Sequence, residues 1–165
     1  MNKSIVTTPS EAVVQVTRNF EASVQSVWKA FTDTDMVRKW MLGPPGWIMP
    51  VCDLDFKVGG EYRNVFRNEE QGLEIQISGV FREIHEHHRI VQDEAHMIGS
   101  SSAGVGSGTV VTITFAESDS GTTATTTIAY ETENARDQAL ATGMGPAMES
   151  GYQRIDALLL ADQGS

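Results

Sequence analysis

The densest group of metal-binding residue types lies in the stretch REIHEHHRI, where His85, His87 and His88 stand beside Glu83 and Glu86. In an extended chain His85 and His87 share a face, the spacing a transition metal would use. A fourth ligand and the groups that would orient the imidazoles are missing from the neighbouring sequence, so the stretch is read as a solvated turn holding no metal. Nucleophilic catalysis lacks its parts as well: Cys52, the single cysteine, has no base beside it in sequence, and no GxSxG elbow occurs. Cys52 is read as a small strand residue. Gly59-Gly60 lacks the following helix of a phosphate loop and is read as a tight turn, and Asp53, Asp55 and Glu61 as a solvated strand face. What remains for proton transfer is a set of single polar groups, Arg63, Glu83, His96 and Tyr152, each with a structural reading open beside it.

A second group offers contact and no reaction. Trp40, Trp47, Phe56, Tyr62, Phe66 and Phe81, joined by Met144, Met148 and Tyr152, supply large polarizable surfaces of the kind that line sites for apolar or aromatic ligands. Residues at these spacings also build ordinary cores, and both readings stay open. Met144, Met148 and Tyr152 are the preferred lining residues, and a buried Tyr152 hydroxyl would need a partner in protein, water or ligand.

The elements that must position these residues are legible from periodicity. Val14, Val16 and Phe20 alternate with Gln15, Thr17 and Asn19, which predicts a strand over Val13 to Phe20. Ser23 can cap a helix carrying Val27, Trp28 and Phe31, and Asp33 or Thr34 a second one carrying Val37, Trp40 and Met41. The run GPPG at Gly43 to Gly46 ends helical structure. Strands are expected near Trp47–Phe56, Glu61–Arg67, Leu73–Ile84, His88–His96, Thr109–Phe115 and Thr122–Tyr130, in an antiparallel meander. Residues 1–11 and the Gly/Ser-rich segment 99–108 are expected to be flexible. The last helical pattern runs from Asn134 to about Ala161, with Leu140, Met144, Met148, Tyr152, Ile155 and Leu159 on one stripe and a kink or restart expected at Gly145-Pro146.

Composition narrows the partners. The chain has 165 residues, of which 40% are apolar, enough for one domain spanning 1–165. Lys and Arg number 12 against 22 Asp and Glu, and a net charge of −10 repels a phosphate backbone, so no nucleic-acid partner is expected. The longest purely apolar run, Ala157 to Ala161, falls far short of the roughly 20 residues needed to span a bilayer. One cysteine and an amino-terminal stretch without a continuous apolar segment favour the cytoplasm.

Five stretches carry a family resemblance: VWKAFTD (Val27–Asp33), VRKWMLGPPG (Val37–Gly46), FKVGGEYR (Phe56–Arg63), SGVFREI (Ser78–Ile84), and ARDQALATGM with GYQRIDALL toward the end. With the element order, they make the chain resemble the activator of the 90-kDa heat-shock protein ATPase (carboxy-terminal domain) family. That family lies within the START, SRPBCC and birch-pollen-allergen helix-grip superfamily. The resemblance implies an α+β fold: a curved antiparallel β-sheet wrapped around a long C-terminal helix, with two short helices after the first strand. It also implies a cavity between sheet and helix that takes a small hydrophobic or aromatic molecule, with no cofactor. Binding is placed ahead of catalysis. One alternative is a polyketide cyclase or aromatase-type enzyme using the same pocket, with Tyr152, His96 or Glu83 moving protons. The other is a chaperone-associated or regulatory interaction module, and a homodimer through helices or a sheet edge remains a further expectation.

Overall fold

The structure, a computed structural model, describes residues 3–42, 46–98, 108–141 and 143–163. Strand β2 (Val13–Phe20) shows why the alternation matters: Val14, Val16, Arg18 and Phe20 are buried, while the residues between them are half-buried. Each apolar side chain so enclosed contributes roughly 1.5–3 kcal/mol. Ser23 caps α1 (Val24–Thr32), its hydroxyl accepting from the Ser26 N–H at 3.2 Å. Asp33 caps α2 (Thr34–Trp40), accepting from the amides of Asp35 and Met36 at 2.9 and 3.3 Å.

The meander follows as β3 (Ile48–Leu54), β4 (Glu61–Asn68), β5 (Leu73–His85), β6 (Arg89–Ile98), β7 (Thr109–Ser118) and β8 (Gly121–Ala129). Two helices close the chain, α3 (Glu133–Ala141) and α4 (Met144–Gln163). A short amino-terminal strand, β1 (Ile5–Thr7), pairs with β2, so this part of the segment expected to be flexible is ordered against the sheet. All pairings are antiparallel, in one curved eight-stranded sheet of order β1-β2-β8-β7-β6-β5-β4-β3. The pairing of β2 with β8 brings the first long strand beside the last, and the helices lie across the concave face, the expected helix-grip arrangement.

Two features sharpen the curvature. A bulge interrupts the β5–β6 register between Phe81 and Glu83. At Gly79 the backbone runs so close to β6 that a Cβ would lie 1.8 Å from the Asp93 carbonyl oxygen. Only glycine fits there.

The break in the terminal helix lies earlier than Gly145-Pro146. Gly143, at φ +84, ends α3 through an N–H bond to the Leu140 carbonyl and opens α4 by accepting from the Ala147 N–H. Pro146 sits in the first turn of α4, where an amide hydrogen has no intrahelical partner in any case, so the proline begins a helix and does not bend one. Gly43–Pro45 of the expected turn and residues 99–107 of the expected loop lie outside the described residues.

Candidate functional site

The concave face has two ends that are covered differently. At one, α1, α2 and α4 from Glu149 onward press a continuous series of aromatic rings onto the sheet. Phe20 meets Tyr152 at 5.5 Å between centroids, Phe31 meets Trp40 at 5.2 Å and Phe115 at 5.3 Å, and Trp28 meets Phe115 at 5.2 Å. Trp28 continues the series to Phe56 at 5.9 Å, and Phe81 joins Phe56 to Tyr62, each at 5.1 Å. Tilted and edge-to-face pairs of this kind add about 0.5–1.5 kcal/mol each beyond the area they bury. The polar handles are tied: the Trp40 indole N–H donates to the Ala30 carbonyl at 2.7 Å, and the Tyr152 hydroxyl lies 3.5 Å from Thr126 Oγ1. Burial pushes the Tyr152 hydroxyl up to about 12, outweighing the Thr126 hydrogen bond and the Arg18 charge. Tyr152 is therefore a poor proton donor or acceptor at neutral pH.

A buried cation locks this closed end. Arg18 is 1% exposed and holds Asp156 of α4 with two parallel bonds of 2.9 and 2.7 Å, and Glu149 at 3.1 Å. The carboxylates stand seven residues apart, two helical turns, and so face the same way. Glu149 also accepts from the backbone N–H and hydroxyl of Ser4 at 2.8 and 2.5 Å, which ties the chain just before β1 to the same helix. Burial alone would raise the Glu149 carboxyl, but hydrogen bonds from Arg18, Ser4 and Gln153 hold it down at about 2. Burial likewise opposes the charge on Arg18, and the two carboxylates overcome it and raise its pKa.

The other end, on the inner face of β4 to β6, is polar and keeps part of its surface exposed. Tyr62 reaches over Gly79 and donates to the Asp93 carbonyl at 2.6 Å, with Glu94 Oε2 at 3.5 Å. Glu94 Oε1 lies 2.8 Å from His96 Nε2. The Glu94 side chain is 18% exposed and that of His96 43%, so the pair faces solvent from within the sheet's curve. Burial, then the nearby Glu94 charge, raises the Tyr62 hydroxyl and pushes that of Tyr130 up to about 12. Tyr130 donates to the Met144 thioether at 3.5 Å. Half-buried Ile77, in register with His96, and half-buried Met144 and Met148 supply apolar surface, while α3 buries none of its residues. Such an arrangement offers an apolar wall beside a carboxylate–imidazole pair that can accept, donate or relay a proton.

The lining set expected from sequence divides between these ends. Trp40, Phe56, Phe81 and Tyr152 belong to the ring series, and Tyr62 joins that series to the open end. Met144 and Met148 are half-buried at its rim, Phe66 is buried farther along β4, and Trp47 is half-buried just before β3. Two open surface hollows touch none of these nine. One, of about 370 Å³, is bordered by His85, His88, Arg89 and Thr114, and the other, of about 300 Å³, by Arg67, Asn68, Glu69, Gly72, Leu73 and Glu74.

Among the polar candidates, Glu83 lies on the β5–β6 hairpin with its carboxyl held low by His85 and Arg89, and Arg63 pairs with Gln76. His96 has the concave-face carboxylate beside it. Glu94 was detectable in the alternation Gln92-Glu94-His96, and Arg18 in Val14-Val16-Arg18-Phe20, where the parity that buries the valines buries the arginine too. Asn64, 5% exposed on β4, had no signal beyond its parity with Tyr62. Its Oδ1 has no hydrogen-bond partner among the described residues, a condition that costs roughly 1–3 kcal/mol for a buried amide.

Three solved structures place this arrangement among known proteins. The chain is similar to one from Rhodobacter sphaeroides, with 26% identity, TM-score 0.87, and coverage of 96% of this chain and 99% of that one. One from Mycobacterium smegmatis has 25% identity, TM-score 0.79, and coverage of 96% and 99%. One from Nitrosomonas europaea, at 21% identity and TM-score 0.80 over 96% and 100%, shares the fold. No curated protein matches the chain. The family model described as activator of Hsp90 ATPase homolog 1-like protein matches residues 21–160, most of the chain, and the protein belongs to that family.

Proposed function

We propose that the protein binds a small hydrophobic or aromatic molecule carrying a polar group at the open end of the concave face, between β4–β6 and the α3–α4 junction. The observation that carries this reading is the Glu94–His96 pair, 2.8 Å apart and part-exposed on the inner face of the sheet. Unlike Arg18, which is shut away from water, this pair keeps part of its surface in solvent beside half-buried Ile77 on the same inner face. Ile77, Met144 and Met148 contact the ligand's apolar body, and Tyr62, Glu94 and His96 its polar group. Thioethers suit this position because their unbranched chains repack around ligands of different shape.

Titration with a neutral environment-sensitive dye such as Nile red, followed by calorimetric displacement, tests the reading. Saturable binding at one site per chain, weakened in Met148→Trp, is expected. Absence of saturable binding across apolar dyes, fatty acids, flavonoids and aromatic polyketides overturns it. The same pair supports a second reading, proton transfer on a bound carbonyl or phenol, because a carboxylate 2.8 Å from an imidazole fixes the direction in which the ring points. Turnover that disappears in His96→Ala while dye binding persists would establish it.

A further inference from the structure

We propose that Asn64 is the hydrogen-bonding anchor of this ligand site: its carboxamide oxygen accepts from a hydroxyl or N–H on an aromatic ligand, making the site selective for molecules that carry such a donor. The proposal rests on the ligand-binding reading above. Asn64 lies on the inward face of β4 between Tyr62 and Phe66, paired with Cys52 of β3 and Ile77 of β5. Its Nδ2 reaches only the Met41 thioether, at 3.9 Å, and its Oδ1 reaches no partner among the described residues.

Two donors near this strand point elsewhere. The Tyr62 hydroxyl donates to the Asp93 carbonyl, and Arg38 Nη2 donates to the Cys52 carbonyl at 3.3 Å. Reversing the amide would bring its oxygen against the sulfur and leave the N–H group without an acceptor, so the oxygen is the atom left open. A valine or isoleucine would fill the position without desolvating an amide. A polar group kept there unpaired fits a partner that arrives from outside the chain. Met41 touches the amide, is half-buried and turns about three single bonds, so it can give way to a ligand, and the Phe66 ring next along the same face offers an aromatic surface.

The test compares β-naphthol with β-methylnaphthalene, its methyl isostere, on the full chain and on Asn64→Leu. The wild type is expected to bind the naphthol about tenfold more tightly or better, a factor typical of one satisfied buried hydrogen bond. Asn64→Leu should bind the two alike and melt at or above the wild-type temperature. In nitrogen-labelled wild type, the Asn64 side-chain NH₂ resonances should shift further with the naphthol than with the methyl compound at equal site occupancy. Equal affinities in the wild type overturn the anchor while leaving the ligand site standing, as does discrimination that survives in Asn64→Leu. A variant that unfolds, with no Asn64 shift in the wild type, makes the amide structural and overturns the anchor as well. Binding of neither compound to the wild type, together with failure of the dye titration, overturns the ligand site and the anchor together.

Discussion

At one end of the concave face Phe20, Ile155 and Arg18 are shut away from water beneath α4; at the other, Glu94, His96, Met144 and Met148 keep part of their surface in it. Both ends use the same sheet and the same helix. The difference lies in the residues that meet there: from Glu149 onward α4 presents carboxylates and a ring to Arg18 and Phe20, whereas Met144 and Met148, earlier in the helix, stay half-buried, Met144 against the Tyr130 hydroxyl. Stability is therefore unevenly distributed, and the closed end can hold the fold while the open end stays under-packed for a ligand.

Phe20→Ala tests the closed end most severely. Loss of a fully buried ring from the centre of the series is expected to cost about 3–5 kcal/mol in urea unfolding. A loss below about 1 kcal/mol would mean that this end is as loosely packed as the other.

Arg18→Leu comes next, at about 3 kcal/mol near neutral pH, the low side of the range for breaking a buried pair because Glu149 and Asp156 keep some contact with water. The Glu149 carboxyl sits at about 2 in the folded chain against an ordinary 4.5. Its contribution is thus fully present above pH 4.5 and is lost as the pH falls toward 2. Wild-type stability should fall across that window, and the curve of Arg18→Leu should be flatter there; parallel curves would remove Arg18 as the cause.

At the open end the effects reverse in kind. Met148→Trp should stay within about 1 kcal/mol of wild type yet block dye binding, whereas overpacking a closed core costs about 1–3 kcal/mol. A larger loss of stability would place Met148 in the closed core and break the contrast. His96→Ala should leave stability within about 0.5 kcal/mol, as for an exposed surface group, while changing ligand affinity. The smallest effect belongs to Pro146→Ala. Because Gly143 makes the helix break, the helix path and the unfolding midpoint should both stay put, with a stability change inside about 0.5 kcal/mol. A straightened α3–α4 in the variant would return the break to the proline.

Side-chain spacing was enough to set the periodicities and their caps. Alternation in Val13–Phe20, the caps at Ser23 and Asp33, the turn at Gly59-Gly60 and the meander order are local consequences of side-chain spacing and backbone preference, and they reappear in the structure within a residue or two. Ile5–Thr7 escaped notice because three residues carry too short a pattern, and its order comes from pairing with β2 and from Ser4 on Glu149, far away in the chain. Tertiary structure alone decided which aromatic residues would fill the curve and which end would remain open. Trp40 and Met148 occupy similar apolar stripes in sequence, but Trp40 is buried against Phe31 and Tyr152 across the fold, and Met148 stays half-buried. Likewise, nothing near Asn64 in sequence marks its unpaired oxygen. Whether an amide is satisfied depends on which groups the neighbouring strands and α2 bring within about 3 Å of it, and that is a property of packing rather than of spacing.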